Sequence, residues 1–134
     1  MTGFVKVLTF ACLFLFSGVE NTPNQGTKEE SQDGEFTVEI IREGTYVKFI
    51  FVFVEPKKYS HLTIEKNMQM EGSFRQCAYI DLKANNPAIV AKDKYPFSKY
   101  EDSYYRVRTV TVDQIERVYP PIRLPAATQL TIGE

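Results

Sequence analysis

Thr45-Tyr46-Val47-Lys48-Phe49-Ile50-Phe51-Val52-Phe53-Val54 consists almost wholly of β-branched and aromatic residues. At the two-residue period of a strand, Val47, Phe49, Phe51 and Phe53 share one face and Tyr46, Lys48, Ile50, Val52 and Val54 the other. A strand apolar on both faces is expected in the middle of a sheet. Glu55-Pro56-Lys57-Lys58 ends it, because proline lacks the N–H that a ladder needs.

The same reading extends in both directions. Upstream, Phe36, Val38 and Ile40 alternate with Thr37, Glu39 and Ile41 up to Glu43-Gly44. Downstream, Tyr59 to Asn67 places Leu62 and Ile64 inward and His61, Thr63 and Glu65 outward, and Phe74 to Lys83 alternates again after a connection containing Gly72. Ala88 to Ala91 is a brief strand, 93–102 a polar and aromatic loop, and Ser103 to Val112 and Ile115 to Leu124 a last pair turning at Asp113-Gln114. Pro120-Pro121 confines the final strand to an edge or a bulge. No stretch keeps apolar residues at helical spacing. The expected fold is all-β, a seven-stranded immunoglobulin- or fibronectin III-like β-sandwich over residues 35–124.

Composition bounds the function. The chain has 134 residues, enough for one domain of ordinary size. Sixteen basic residues stand against 17 acidic ones, so no electrostatic footprint for nucleic acid or an anionic membrane is present. Residues 1–20 read as a secretory signal peptide: one lysine, the apolar run Val7 to Gly18, then the polar exit Glu20-Asn21-Thr22-Pro23-Asn24. That run is shorter than the roughly 20 apolar residues a membrane span needs, so no membrane insertion is expected after its removal. Neither Phe16-Ser17-Gly18 nor Ser17-Gly18-Val19 places small residues at both cleavage positions, and Phe10 before Cys12 disfavours a lipidated cysteine. Export to the periplasm, the outer membrane or the exterior is the expected location. A mature chain would keep Cys77 alone, in a strand pattern that makes it a small buried hydrophobe. Residues 21–34 offer no apolar anchor and read as a flexible leader, and 125–134 as a C-terminal tail.

Leu62-Thr63-Ile64-Glu65-Lys66-Asn67, Gly72-Ser73-Phe74 and Tyr104-Tyr105-Arg106-Val107-Arg108-Thr109-Val110, followed by Asp113 and Tyr119, resemble the fibronectin type III-like modules of exported Bacteroidota proteins. The resemblance runs from about Val47 to Leu124. It implies that Tyr105 holds the tyrosine-corner position, its ring in the core and its hydroxyl on backbone of the preceding loop, with Val107 also inward. Tyr104, Arg106 and Arg108 then face outward, where Glu65 can pair with both arginines across strands. The family's tryptophan is missing, leaving Phe49, Phe51 or Phe53 to fill its volume, and the chain ends ten residues after Leu124, as a free-standing module would.

Chemistry-bearing residues are few. His61 is the only histidine, without a cysteine partner at ligand spacing, so neither a metal site nor a catalytic triad is expected. Seven scattered glycines make no phosphate loop. Asp93, Glu101 and Asp102 are interleaved with Lys92, Lys94 and Lys99, and their spacing fits solvated loop charge better than a calcium loop or an acid pair. Tyr95, Phe97, Tyr100 and Tyr104 crowd one loop, where rings either cap the core or contact a ligand, and with Arg106 and Arg108 they form the candidate binding set. The expected role is a non-enzymatic, cofactor-free exported module that meets a protein of the cell envelope through loops or a sheet edge such as 115–124, or binds glycan through the loop 95–104.

Overall fold

A computed structural model describes residues 26–82 and 86–127. The expected signal segment, Cys12 and residues 128–134 of the tail lie outside them. The Phe36–Glu43 strand (β2) and the Tyr46–Phe53 strand (β3) form a hairpin across Gly44, which sits at φ +62°, a left-handed conformation that glycine adopts without penalty. Ala88–Asp93 (β6) pairs on the far side of β3, which is therefore central as its two-faced apolarity requires. Tyr59–Asn67 (β4) lies between Arg75–Asp81 (β5) and Ser103–Thr111 (β7) in a second antiparallel sheet, and Glu116–Val118 (β8) and Ile122–Leu124 (β9) pair in turn along the outer edge of β7.

The two sheets face each other across one core. Phe36, Val38, Ile40, Phe49 and Phe51 from the first meet Leu62, Ile64, Tyr105, Val107 and Leu124 from the second. Phe49 packs edge-on against Tyr105 with centroids 5.0 Å apart, and Phe36 edge-on against Tyr119 at 5.0 Å. Each such ring stabilises the fold by about 1.5–3 kcal/mol through burial alone. Tyr105 and Val107 occupy the core positions expected of them.

Three expectations about the chain's course need correction. Residues 26–30, assigned to a flexible leader, form a strand (β1, Gly26–Glu30) paired with β2. Backbone hydrogen bonds hold it, so apolar patterning has nothing to register. A side chain at Gly26 would bring Cβ to 3.0 Å from the Ile40 carbonyl oxygen. The turn into β2 is tied by Ser31, whose amide bonds the Phe36 carbonyl at 2.7 Å and whose hydroxyl accepts from the Phe36 amide at 3.1 Å.

The final strand is two. Tyr119 N–H bonds Val107 O and Ile122 sits opposite Tyr105, so three steps along the last segment match two along β7. Pro120 and Pro121 occupy the slip, where a ladder amide is not needed. The third correction concerns Asp93, read as solvated loop charge: it ends β6 and is only 2% exposed.

Candidate functional site

Among the described residues the loop after β6 is built around that aspartate. Asp93 Oδ1 accepts from the Tyr95 amide at 3.2 Å, starting the turn. The same carboxylate accepts from Lys66 Nζ at 3.3 and 3.0 Å, and the Tyr105 hydroxyl donates to its other oxygen at 2.9 Å. Lys66, 4% exposed, also donates to the Tyr95 carbonyl at 2.5 Å and lies 4.8 Å from the Phe97 ring centre. Every donor of the ammonium faces an acceptor or a π-face, which is what a buried charge requires. Burial, and then the neighbouring Asp93 charge, push the Tyr105 phenol far above its ordinary value. Its hydroxyl partner is thus a carboxylate, where the resemblance implied loop backbone.

The loop's far end is fixed by the chain's last described residues. Asp102 binds Arg123 Nε at 2.9 Å and the Ala126 amide at 2.9 Å, and Ala127 N–H reaches Lys99 O at 2.7 Å. Arg42 donates to Pro125 O at 3.1 Å and Glu101 O at 3.3 Å. These bonds hold 125–127 against the domain.

Between this loop and the β2–β3 turn lies an open groove of about 500 Å³. Tyr46, Tyr95 and Phe97 supply its rings, and Arg42, Lys94 and Lys99 its charge, with no carboxylate among the described residues of its lining. At the rim, Lys92 Nζ stands 4.4 Å from the Tyr46 ring centre and the Tyr46 hydroxyl donates to Glu43 at 2.9 Å, so one further cation and one carboxylate flank the groove. Tyr95 is 83% exposed.

The six candidate binding residues do not converge. Tyr95 and Phe97 line the groove, and Tyr100 is exposed beside Lys99, 5.3 Å from its ammonium. Tyr104, Arg106 and Arg108 alternate on the outer face of β7, opposite to Tyr105 and Val107. There Glu65 accepts from Arg106 Nε at 2.6 Å and Arg108 Nε at 3.0 Å, Arg108 also binds Glu116, and the Arg106 guanidinium covers the Phe74 ring at 4.3 Å. Cross-strand pairing accounts for both arginines, as the sequence reading allowed. Of the rings, Phe97 is engaged by Lys66 and by Arg75 at 5.9 Å, leaving Tyr95 and Tyr100 as the solvent-facing pair.

Among the described residues Thr63 Oγ1 and Ser103 Oγ are buried without a hydrogen-bond partner, whereas the chemistry-bearing His61 and Cys77 have structural surroundings. Ser60 Oγ and His61 Nδ1 lie 3.2 Å apart, and the His61 ring stacks on Tyr79 with centroids 5.1 Å apart. Cys77 is half-buried at a bulge between Ile64 and Glu65 on the facing strand, and burial pushes its thiol up to about 12. Among the described residues no three His, Cys, Asp or Glu side chains are placed to hold a metal ion, and no helix is long and apolar enough to cross a membrane. No family model, curated protein or solved structure matches this chain.

Sequence reading passed over Lys66, Arg42 and Tyr46. For Lys66 a signal existed. It continues the inward series Leu62, Ile64, so a lysine there demanded a buried acid. Arg42 and Tyr46 join the groove only through the β2–β3 turn and the packing of residues some fifty positions later, which no local pattern encodes.

Proposed function

We propose that this chain is an exported, non-enzymatic binding module of fibronectin III-like architecture that holds a protein partner with an acidic surface at its loop-end groove. The observation that carries this reading is the groove itself, where three cations and three rings line one cleft with no acid among its described lining residues. Rings and arginine are the side chains that interfaces favour, and a basic cleft steers an acidic partner into contact. Export rests on the apolar run of residues 7–18 and its polar exit.

The architectural part rests on strand order. With β1 set aside as an added edge, and β8 and β9 taken as one interrupted strand, the sheets run first-second-fifth and fourth-third-sixth-seventh. That arrangement supports a sandwich of the fibronectin and immunoglobulin kind. The non-enzymatic part is supported by the carboxylates. Asp93 is committed to Lys66 and Tyr105, Asp102 to Arg123 and Ala126, and neither they nor Glu101 line the groove.

The test is co-purification from native envelope extract at low salt with the unaltered chain and with a Lys94→Glu, Lys99→Glu double variant. Loss of the recovered partner in the variant, and elution of the native complex by moderate salt, are expected. A partner retained equally by both proteins rejects the groove. A glycan reading is favoured by one observation, the solvent exposure of the Tyr95 and Tyr100 rings. Affinity-gel retardation by a polysaccharide that survives Tyr95→Ala with Tyr100→Ala rejects that reading.

A further inference from the structure

The two sheets have four edges, and they are not protected alike. On β1, Lys28, Glu29 and Glu30 set charge along the edge. β5 is bulged against β4 at Cys77. The β8–β9 edge is cut into three-residue pieces by Pro120 and Pro121. Charge, bulges and prolines are the devices by which sheets avoid pairing with another chain. β6 has none of them before its last two residues: Ala88-Ile89-Val90-Ala91 is uncharged, proline-free and in unbroken register with β3.

Among the described residues that edge also has its backbone available. Phe53 N–H bonds Pro87 O, so the residues of β6 exchanging bonds with β3 are Ile89, Ala91 and Asp93. The amides and carbonyls of Ala88, Val90 and Lys92 point away from the sheet. Beside them the outer face is apolar: Val90 is 58% exposed and pairs with Ile50, and Val52, 48% exposed, pairs with Ala88.

We propose that β6 is a self-association edge, which pairs antiparallel with β6 of a second copy about a two-fold axis through Val90. The occupant follows from self-complementarity. A two-fold centred on Val90 sets Val90 against Val90, Ile89 against Ala91 and Lys92 against Ala88 of the second copy, so no like charges are opposed. It extends the row Ile50–Val90 into four consecutive apolar side chains across two molecules, and joins the two four-stranded sheets into one of eight. The groove-bearing loops begin just past Asp93, so the dimer presents two grooves at the ends of one sheet.

Sedimentation velocity on protein recovered from expression of the full chain tests this, with Val90→Lys and Val112→Lys as variants. Val112 is also 58% exposed but lies beyond the end of β7, and serves as the control. A dimer for the parent and for V112K, weakened at least about tenfold in V90K by the ammoniums brought face to face, is the expected result. Val90→Cys gives a second reading, since residues directly opposed in a hydrogen-bonded pair lie about 5.5 Å apart at Cα, within disulfide range. V90C should form a covalent dimer with oxidised glutathione, and Val112→Cys should not. A parent that stays monomeric at millimolar concentration, or a dimer unmoved by V90K and not captured by V90C, overturns the proposal.

Discussion

The Tyr105 hydroxyl donates to Oδ2 of Asp93 at 2.9 Å, and this one bond joins the two sheets, because Tyr105 belongs to β7 and Asp93 to β6. Lys66 of β4 meets the same carboxylate at 3.0 Å. The sandwich is therefore clamped at one end by a buried polar triad. The groove loop starts from that clamp, since the Tyr95 amide and carbonyl are bonded to Asp93 and Lys66 respectively.

Removing one member of the clamp should cost far more than removing the pair. Asp93→Ala strands a buried ammonium and is expected to destabilise by about 3–5 kcal/mol. Tyr105→Phe loses one bond to a charged group, about 1.5–3 kcal/mol. The double change Lys66→Met with Asp93→Leu should recover most of the loss, because neither desolvated charge is left behind. Urea midpoints for the four proteins check this order, and a double variant less stable than Asp93→Ala contradicts it.

How much of this was legible in the sequence depends on what each residue signals locally. Phe49, Phe51, Tyr105 and Val107 announce their burial by alternation, and the pairing of Glu65 with Arg106 and Arg108 follows from facing strands. Asp93 carries no such mark: an aspartate beside lysines reads as solvated until Lys66 is brought to it from 27 positions away. β1 was invisible for a different reason. Its residues are polar because it is an edge, and what holds it is main chain. The groove, too, arises from elements far apart in sequence, so only its exposed rings could be nominated in advance.

Acid should loosen the second sheet through Glu65. Burial raises this carboxyl, but hydrogen bonds and charge from Arg106 and Arg108 outweigh it, and its value is held below the ordinary one. A carboxylate with a depressed folded-state value contributes stability that is fully present above the unfolded value, about 4.3, and is lost as pH falls through the folded one. Urea stability of the parent is expected to drop over that acid window. Glu65→Gln should be less stable at neutral pH by about 1–2 kcal/mol, with a shallower decline in acid. Parallel curves for the two proteins would remove Glu65 from the explanation.

Cys77 is expected to be inert in the fold. With its thiol pushed up to about 12, largely by burial, almost no thiolate exists at pH 8 and the sulfur is half-covered. A maleimide should label it slowly in buffer and rapidly in denaturant. The sign at alkaline pH follows: the unfolded thiol ionises near 8.5 and the folded one only near 12, so stability should fall as pH rises between these values. Cys77→Ala should remove that part of the alkaline slope.

The edge strand β1 makes the most local prediction, because its pairing fixes which amides are bonded. Ser31 N–H meets Phe36 O, and the same register sets Glu29 opposite Val38 and Thr27 opposite Ile40. In an antiparallel ladder such pairs alternate with pairs that exchange no bonds. The amides of Thr27, Glu29 and Ser31 should therefore be protected from hydrogen exchange, while those of Lys28 and Glu30 exchange freely. A flexible leader would show no alternation. The turn that follows is tied to the second sheet, since the Tyr119 hydroxyl donates to Asp33 at 2.9 Å. Tyr119→Phe should lower the protection of Thr27 and Glu29 together with a global loss of about 1 kcal/mol. Uniformly rapid exchange across residues 27–31 in the parent would show that β1 is not part of the sheet.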